Sequence, residues 1–149
     1  MINVTGMSIG FTGSRNAVSE FQRDRILDIL QSLTDAKRFI TGGCVGMDHL
    51  VGVTMLKIAP DKEHVVIVPA NRSRIAAWWR PYGDAVKVIE MPPESDYRAR
   101  NREIVLRSSA LVAFPSHAES HPACRRSGTW QTIRMAEALK PMVYPLDAM

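Results

Sequence analysis

At 149 residues the chain is long enough for one domain with a real core, and 46% apolar with 23% charged residues is ordinary globular composition. No apolar run approaches the roughly eighteen residues of a membrane span, the start "MINVTGMSIGFTGSR" lacks the features of a secretory signal, and neither Cys44 nor Cys124 sits in a C-x-x-C pair that would suggest a zinc ribbon. A net charge of +4 and a pI near 9.4 favour an anionic partner, nucleotide or nucleic acid, and a reducing cytoplasm is the expected setting.

Short β-branched runs alternate with stretches of helical period. Ser8 to Thr12 predicts a strand. Ser19 to Leu33 predicts a helix, with Ser19 and Gln22 spaced as a capping box and Ile26, Ile29, Leu30 and Leu33 on one face. Arg38 to Thr41 predicts a second strand, Met47 to Ile58 a second helix, and His64 to Ala70 a buried third strand. Ser73 to Trp79 predicts a short helix, Val86 to Met91 a fourth strand, and Asp96 to Ser108 a helix with Tyr97, Ile104 and Val105 inward and Asn101 sharing their face. Ala110 to Phe114 predicts a fifth strand, Thr129 to Lys140 a helix, and "MVYPL" a last strand. This order implies β-α-β units: a single Rossmann-like domain over residues 1–149, with helices on both faces of a mostly parallel sheet.

Open sheets of this kind bind ligands beyond the carboxyl ends of their strands. Three such ends carry small residues, hydroxyls and arginine. They are Gly13, Ser14 and Arg15 after the first strand, Gly42, Gly43 and Gly46 after the second, and Ser127, Gly128 and Thr129 before the last helix. Glycines let a backbone approach an anion, and N–H groups at a helix N-terminus point at it. Arg15 is suited to pair with phosphate as a fork. Asp48 would repel phosphate, so it either faces a ribose hydroxyl or base, or caps the second helix. Asn101 is an amide on an inward face, which needs partners. The spacing matches neither a Walker A loop nor G-x-G-x-x-G. Trp78 and Trp79 read as core or interface rather than as a base-stacking platform. The segment Ser116 to Arg126, with His117, His121 and Cys124, reads as a mobile basic lid; no metal site and no cofactor are expected.

The segments "GSR", "GGCVGMD", "RNREIVLRSSALVAFP" and "SGTWQTIRMA", in this order from Ser8 to Leu146, resemble the SLOG superfamily, which includes the LOG and DprA proteins. Within it the chain is most similar to the small YspA-like proteins. The resemblance implies a nucleotide-binding Rossmann-like fold, commonly a homodimer or a higher homo-oligomer. LOG-type enzymes cleave the N-glycosidic bond of nucleoside monophosphates with P-G-G-x-G-T-x-x-E. Here Gly128 and Thr129 match G-T, the glutamate position is Thr132, and the family's arginine falls near Arg100. The resemblance therefore implies a retained phosphate cradle without its catalytic carboxylate; Asp48 and Glu119 are the candidate acids in its place, and Arg100 is a further candidate catalytic residue. The DprA branch implies single-stranded DNA binding, expected to be weak in a chain with 7% aromatic residues. The expected activities, in order, are a nucleotide-binding sensor or sequestering module, an N-glycosidase, and a nucleic-acid binder.

Overall fold

The computed structural model describes residues 3–149. Its strands are β1 (Ser8–Gly13), β2 (Arg38–Gly42), β3 (Glu63–Val68), β4 (Val86–Glu90), β5 (Ala110–Phe114) and β6 (Met142–Val143). Its α-helices are α1 (Glu20–Gln31), α2 (Met47–Ile58), α3 (Tyr97–Leu106) and α4 (Gly128–Met135). The strands form one sheet in the order β4-β3-β2-β1-β5-β6, parallel throughout.

Alternation along the strands distributes the core. Phe39 of β2 points to the face covered by α1 and α2, with Phe11, Ile26, Leu30, Val51 and Met55. Ile40, its neighbour, points to the opposite face with Ile104 of α3 and Ala136 just after α4. A helical layer thus covers each side of the sheet, as buried parallel strands require.

Local chemistry starts each helix. At α1 the Ser19 Oγ accepts the Gln22 N–H at 3.1 Å, and the Gln22 side chain accepts the Ser19 N–H at 2.9 Å, which completes the capping box. Asp96 caps α3 through the Ala99 N–H, and Ser127 caps α4 through the Trp130 N–H. Helix α2 has no side-chain cap. It begins at Gly46, whose φ of +83° suits glycine, and the Met47 N–H donates to Ser14 O at 2.9 Å. The start of α2 is thereby tied to the tip of β1.

One predicted element is absent. Ser73 to Trp79 forms no helix; Arg74 to Ala76 lies alongside Gly43 to Val45, with the Val45 N–H donating to Arg74 O and the Ala76 N–H to Gly43 O, both at 2.8 Å. Those bonds take the groups a helix would have used, and Ala77 turns the chain with a φ of +51°. Trp78 and Trp79 then pack down into a cluster with Leu56, Val66 and Val68. A 3-10 segment, Arg80–Ala85, leads into β4. Helix α4 is also shorter than its sequence period suggests: it ends at Met135 and continues as a single 3-10 turn, Glu137–Leu139.

The packing of Trp78 on α2 yields a stability prediction. A Cβ at Gly52 would collide with the Trp78 ring. Gly52→Ala gains about 1 kcal/mol of helix propensity, but overpacking a rigid buried ring costs about 1–3 kcal/mol. The variant is expected to melt several degrees below wild type in a thermal unfolding experiment.

Candidate functional site

The direction of chain progression across the sheet changes at β1. From β1 the chain steps through β2 and β3 to β4 on one side, then returns to lay β5 on the other side of β1. The loops leaving β1 and β5 therefore diverge, and the crevice between them is where a doubly wound fold places a ligand. A cavity of about 220 Å³ lies there. Its walls come from Thr12 to Asn16 after β1, Cys44, Val45 and Asp48 after β2, Arg100 and Asn101 on α3, Ser116 after β5, and Ser127 to Thr129 at the start of α4.

The floor is a buried polar cluster. Arg100 is 6% exposed. Its Nη1 lies 3.6 Å from Asp48 Oδ2, its Nε donates to Asn101 Oδ1 at 2.8 Å, and both Nη atoms lie 3.8 Å from Cys44 Sγ. Asp48 Oδ2 also accepts the Cys44 N–H at 3.2 Å. Burial pushes the Asp48 carboxyl above its ordinary pKa, and the Arg100 charge and backbone N–H groups pull it back. Burial, and then the Asp48 charge, push the Cys44 thiol up as well, so it stays protonated.

The rim is hydroxyl-rich. Ser14 Oγ accepts both the Asn16 N–H at 3.0 Å and the Ser116 hydroxyl at 2.7 Å, which ties the β1 and β5 loops together. Arg15 is exposed, with its guanidinium carbon 5.0 Å from the centroid of the Tyr97 ring. Among the described residues its guanidinium makes no ion pair.

Gly13, Ser14, Arg15, Asp48, Arg100, Asn101, Ser127, Gly128 and Thr129 thus converge on one cavity. Gly42, Gly43 and Gly46 do not line it. A Cβ at Gly42 would strike Arg100 Nη1 and come within 2.5 Å of Asp48 Oδ2. At Gly43 it would come within 2.7 Å of the Trp79 ring, and at Gly46 within 2.5 Å of the Arg15 backbone. These glycines make room for protein atoms. Gly128 differs: a Cβ there meets nothing within 4 Å.

The remaining candidates lie elsewhere. Glu119 is exposed, 4.0 Å from Arg134, and outside the cavity wall. Thr132 is 0% exposed and donates its hydroxyl to Gly128 O at 2.9 Å, so the position resembling the LOG glutamate faces the protein interior. The segment from Ser116 to Arg126 is anchored by Cys124, its one buried residue, while residues 119–123, 125 and 126 are exposed. Cys124 Sγ donates to Ala118 O, Trp130 Nε1 donates to His117 O at 2.9 Å, and a 3-10 turn spans Pro122–Arg126. His117 and His121 stack at 3.9 Å, and His117 pairs with Asp147 at 3.2 Å. No group of three or more potential metal ligands occurs among the described residues. Tyr97, between Arg15 and Arg100, is the residue the sequence placed inward without assigning it to the site.

No protein-family model matches the chain, and no curated protein sequence does. Among solved structures, the X-ray structure of DNA processing protein A (DprA) from Streptococcus pneumoniae superposes with a TM-score of 0.65 at 19% identity. The match covers 93% of this chain and 49% of that one, so this chain spans about half the length of its structural neighbour. The chain has a DprA-like Rossmann fold. Among the described residues, no helix of this DprA-like domain is long and apolar enough to cross a membrane.

The buried carboxyl makes a pH prediction. Its folded pKa is raised above the unfolded 3.8, so between the two values the folded state holds a proton that the unfolded chain has released. The stability contributed by Asp48 is full below the unfolded pKa and is lost as pH rises through the folded one. Urea denaturation of wild type and Asp48→Asn across this range is expected to show the wild type losing stability relative to the variant as pH increases.

Proposed function

We propose that the strand-tip cavity binds the phosphate of a nucleotide or nucleotide-derived ligand, and that the protein is a binding module rather than a glycosidase. The observation that carries this reading is the meeting, at the β1/β5 crevice, of an arginine fork with no ion-pair partner among the described residues and a helix N-terminus open to the cavity. Arg15 supplies the fork, and Gly128 and Thr129 supply the helix start. Ser14 and Ser127, whose oxygens accept within the protein, add hydroxyl donors around the same space. Asp48, deeper and neutralised by Arg100, suits a sugar hydroxyl or a base rather than phosphate.

Glycosidic cleavage develops positive charge on the ribose and calls for a fixed carboxylate beside it. Asp48 is the one carboxylate among the residues lining the cavity, and Arg100 already engages it. Wild-type protein incubated with each common nucleoside monophosphate is expected to release little or no free base in a chromatographic assay. Robust release would promote the enzyme reading and make Asp48 the first residue to replace.

A second reading is favoured by the fold it shares with a DNA-processing protein. Arg98, Arg102, Arg125 and Arg126 are exposed on α3 and on the segment leading into α4, which suits contact with a nucleic-acid backbone. Phosphate contacts of that type make affinity fall steeply with salt. The expected result is weak, salt-sensitive binding of a short single strand; a nanomolar complex at physiological salt would reverse the order of the two readings.

Calorimetry with a nucleoside monophosphate and its parent nucleoside tests the first reading. A charge-assisted contact is worth about 1.5–3 kcal/mol, so Arg15→Ala is expected to weaken the monophosphate by roughly tenfold to a hundredfold and leave the nucleoside little changed. Gly128→Val is expected to fold normally and weaken the monophosphate, whereas Gly43→Val, which meets the Trp79 ring, is expected to lower stability first.

A further inference from the structure

Three chain segments meet at Tyr97, the first residue of α3, beside the cavity-lining Arg15 and Arg100. The Arg15 guanidinium carbon, from the β1 tip, lies 5.0 Å from the ring centroid, and that of Arg100, one turn further along α3, lies 5.8 Å from it. The ring's own hydroxyl donates to Asn71 O at 3.2 Å, beyond the end of β3. Both arginines are within the roughly 6 Å at which a guanidinium is attracted to an aromatic face.

We propose that Tyr97 is a positioning residue that holds Arg15 and Arg100 in place for an anion in the cavity; this rests on the phosphate-binding reading above. The chemistry of the partner is the reason. A carboxylate would orient an arginine equally well, but it would occupy the N–H fork and have to be displaced by phosphate. An aromatic ring engages the face of the guanidinium and leaves the in-plane N–H donors free.

The two arginines use the ring differently. Arg100 has its donors directed at Asn101, Asp48 and Cys44, so Tyr97 closes the remaining side of a fixed cluster. Arg15 has no carboxylate partner among the described residues, and its fork stays available. An exposed arginine loses rotamer freedom when it binds an anion, and holding it in advance lowers that cost. The hydrogen bond to Asn71 is solvent-exposed, so the face of the ring rather than its hydroxyl holds the arginines.

The test compares Tyr97→Phe, which keeps the ring and loses the hydroxyl, with Tyr97→Leu, which loses the ring. The probes are 5′-AMP and adenosine, measured by calorimetry. Ligand-free ¹H–¹⁵N spectra of the arginine Nε–H groups provide a readout that does not depend on binding. Tyr97→Phe is expected to bind AMP within about twofold of wild type and to keep the ring-shifted Arg15 and Arg100 signals. Tyr97→Leu is expected to weaken AMP about fivefold or more, to leave adenosine unchanged and to lose those shifts. Equal weakening of both probes would make the ring a structural element only, and arginine signals indifferent to its removal would overturn the proposal. If wild type binds AMP and Tyr97→Leu binds it equally well, this inference alone fails. If wild type binds no AMP, the phosphate-binding reading fails and the inference falls with it.

Discussion

The Arg100–Asp48 pair is the interaction on which the arrangement of the strand tips depends. Asp48 stands in the first turn of α2 and Arg100 in α3, and these helices cover opposite faces of the sheet. The pair closes across the end of β2, in the space left by the missing side chain of Gly42. Each group is desolvated where they meet, and the Arg100 charge offsets part of the upward pull that burial exerts on the Asp48 carboxyl. Cys44 and Asn101 reduce that desolvation cost by supplying an N–H, a sulfur and an amide oxygen. The cluster therefore fixes two helix starts relative to one another and gives the cavity a floor whose opposite charges are internally matched.

That matched floor shapes the chemistry above it. Arg100 is oriented by its neighbours and is committed to them. The exposed Arg15 is left as the cation with an open fork, and the α4 start as the open source of backbone donors. An anion at the rim and a hydrogen-bond donor at the floor describe the two ends of a ligand such as a nucleotide. The same geometry explains why cleavage is not the favoured reading. The carboxylate in reach is held in an ion pair, and the position resembling the LOG glutamate is Thr132, turned into the α4 packing face.

Much of the fold was legible because its signals are local. The capping box at Ser19 and Gln22, the β-branched run of β3, the apolar run of β5, and the period of α2 each specify their element without reference to the rest of the chain. Ser73 to Trp79 was not legible, because its backbone partners are Gly43 and Val45, some thirty residues away. The glycine-rich stretch after β2 shows the same limit. Its composition reads equally well as a ligand cradle or as space for large neighbours, and only the packing of Arg100, Trp79 and Arg15 against it distinguishes them. Asp48 presented a comparable choice among a cap, a sugar contact and a base contact; its pairing with Arg100 is a tertiary fact that spacing does not encode. The signal for Tyr97 was present in its inward position on α3 beside Asn101, but the two guanidinium groups on its ring become apparent only once β1 and α3 are brought together.

The central claim, that an anion binds at the β1/β5 crevice, is tested most directly by a backbone amide NMR titration with 5′-AMP. The account predicts saturable shifts concentrated at Ser14 to Asn16 and at Ser127 to Thr129, with adenosine alone producing much smaller changes at those amides. No saturable shift at millimolar AMP, or shifts confined to the groove between α1 and α2 around Arg23, Leu50 and Lys57, would contradict it.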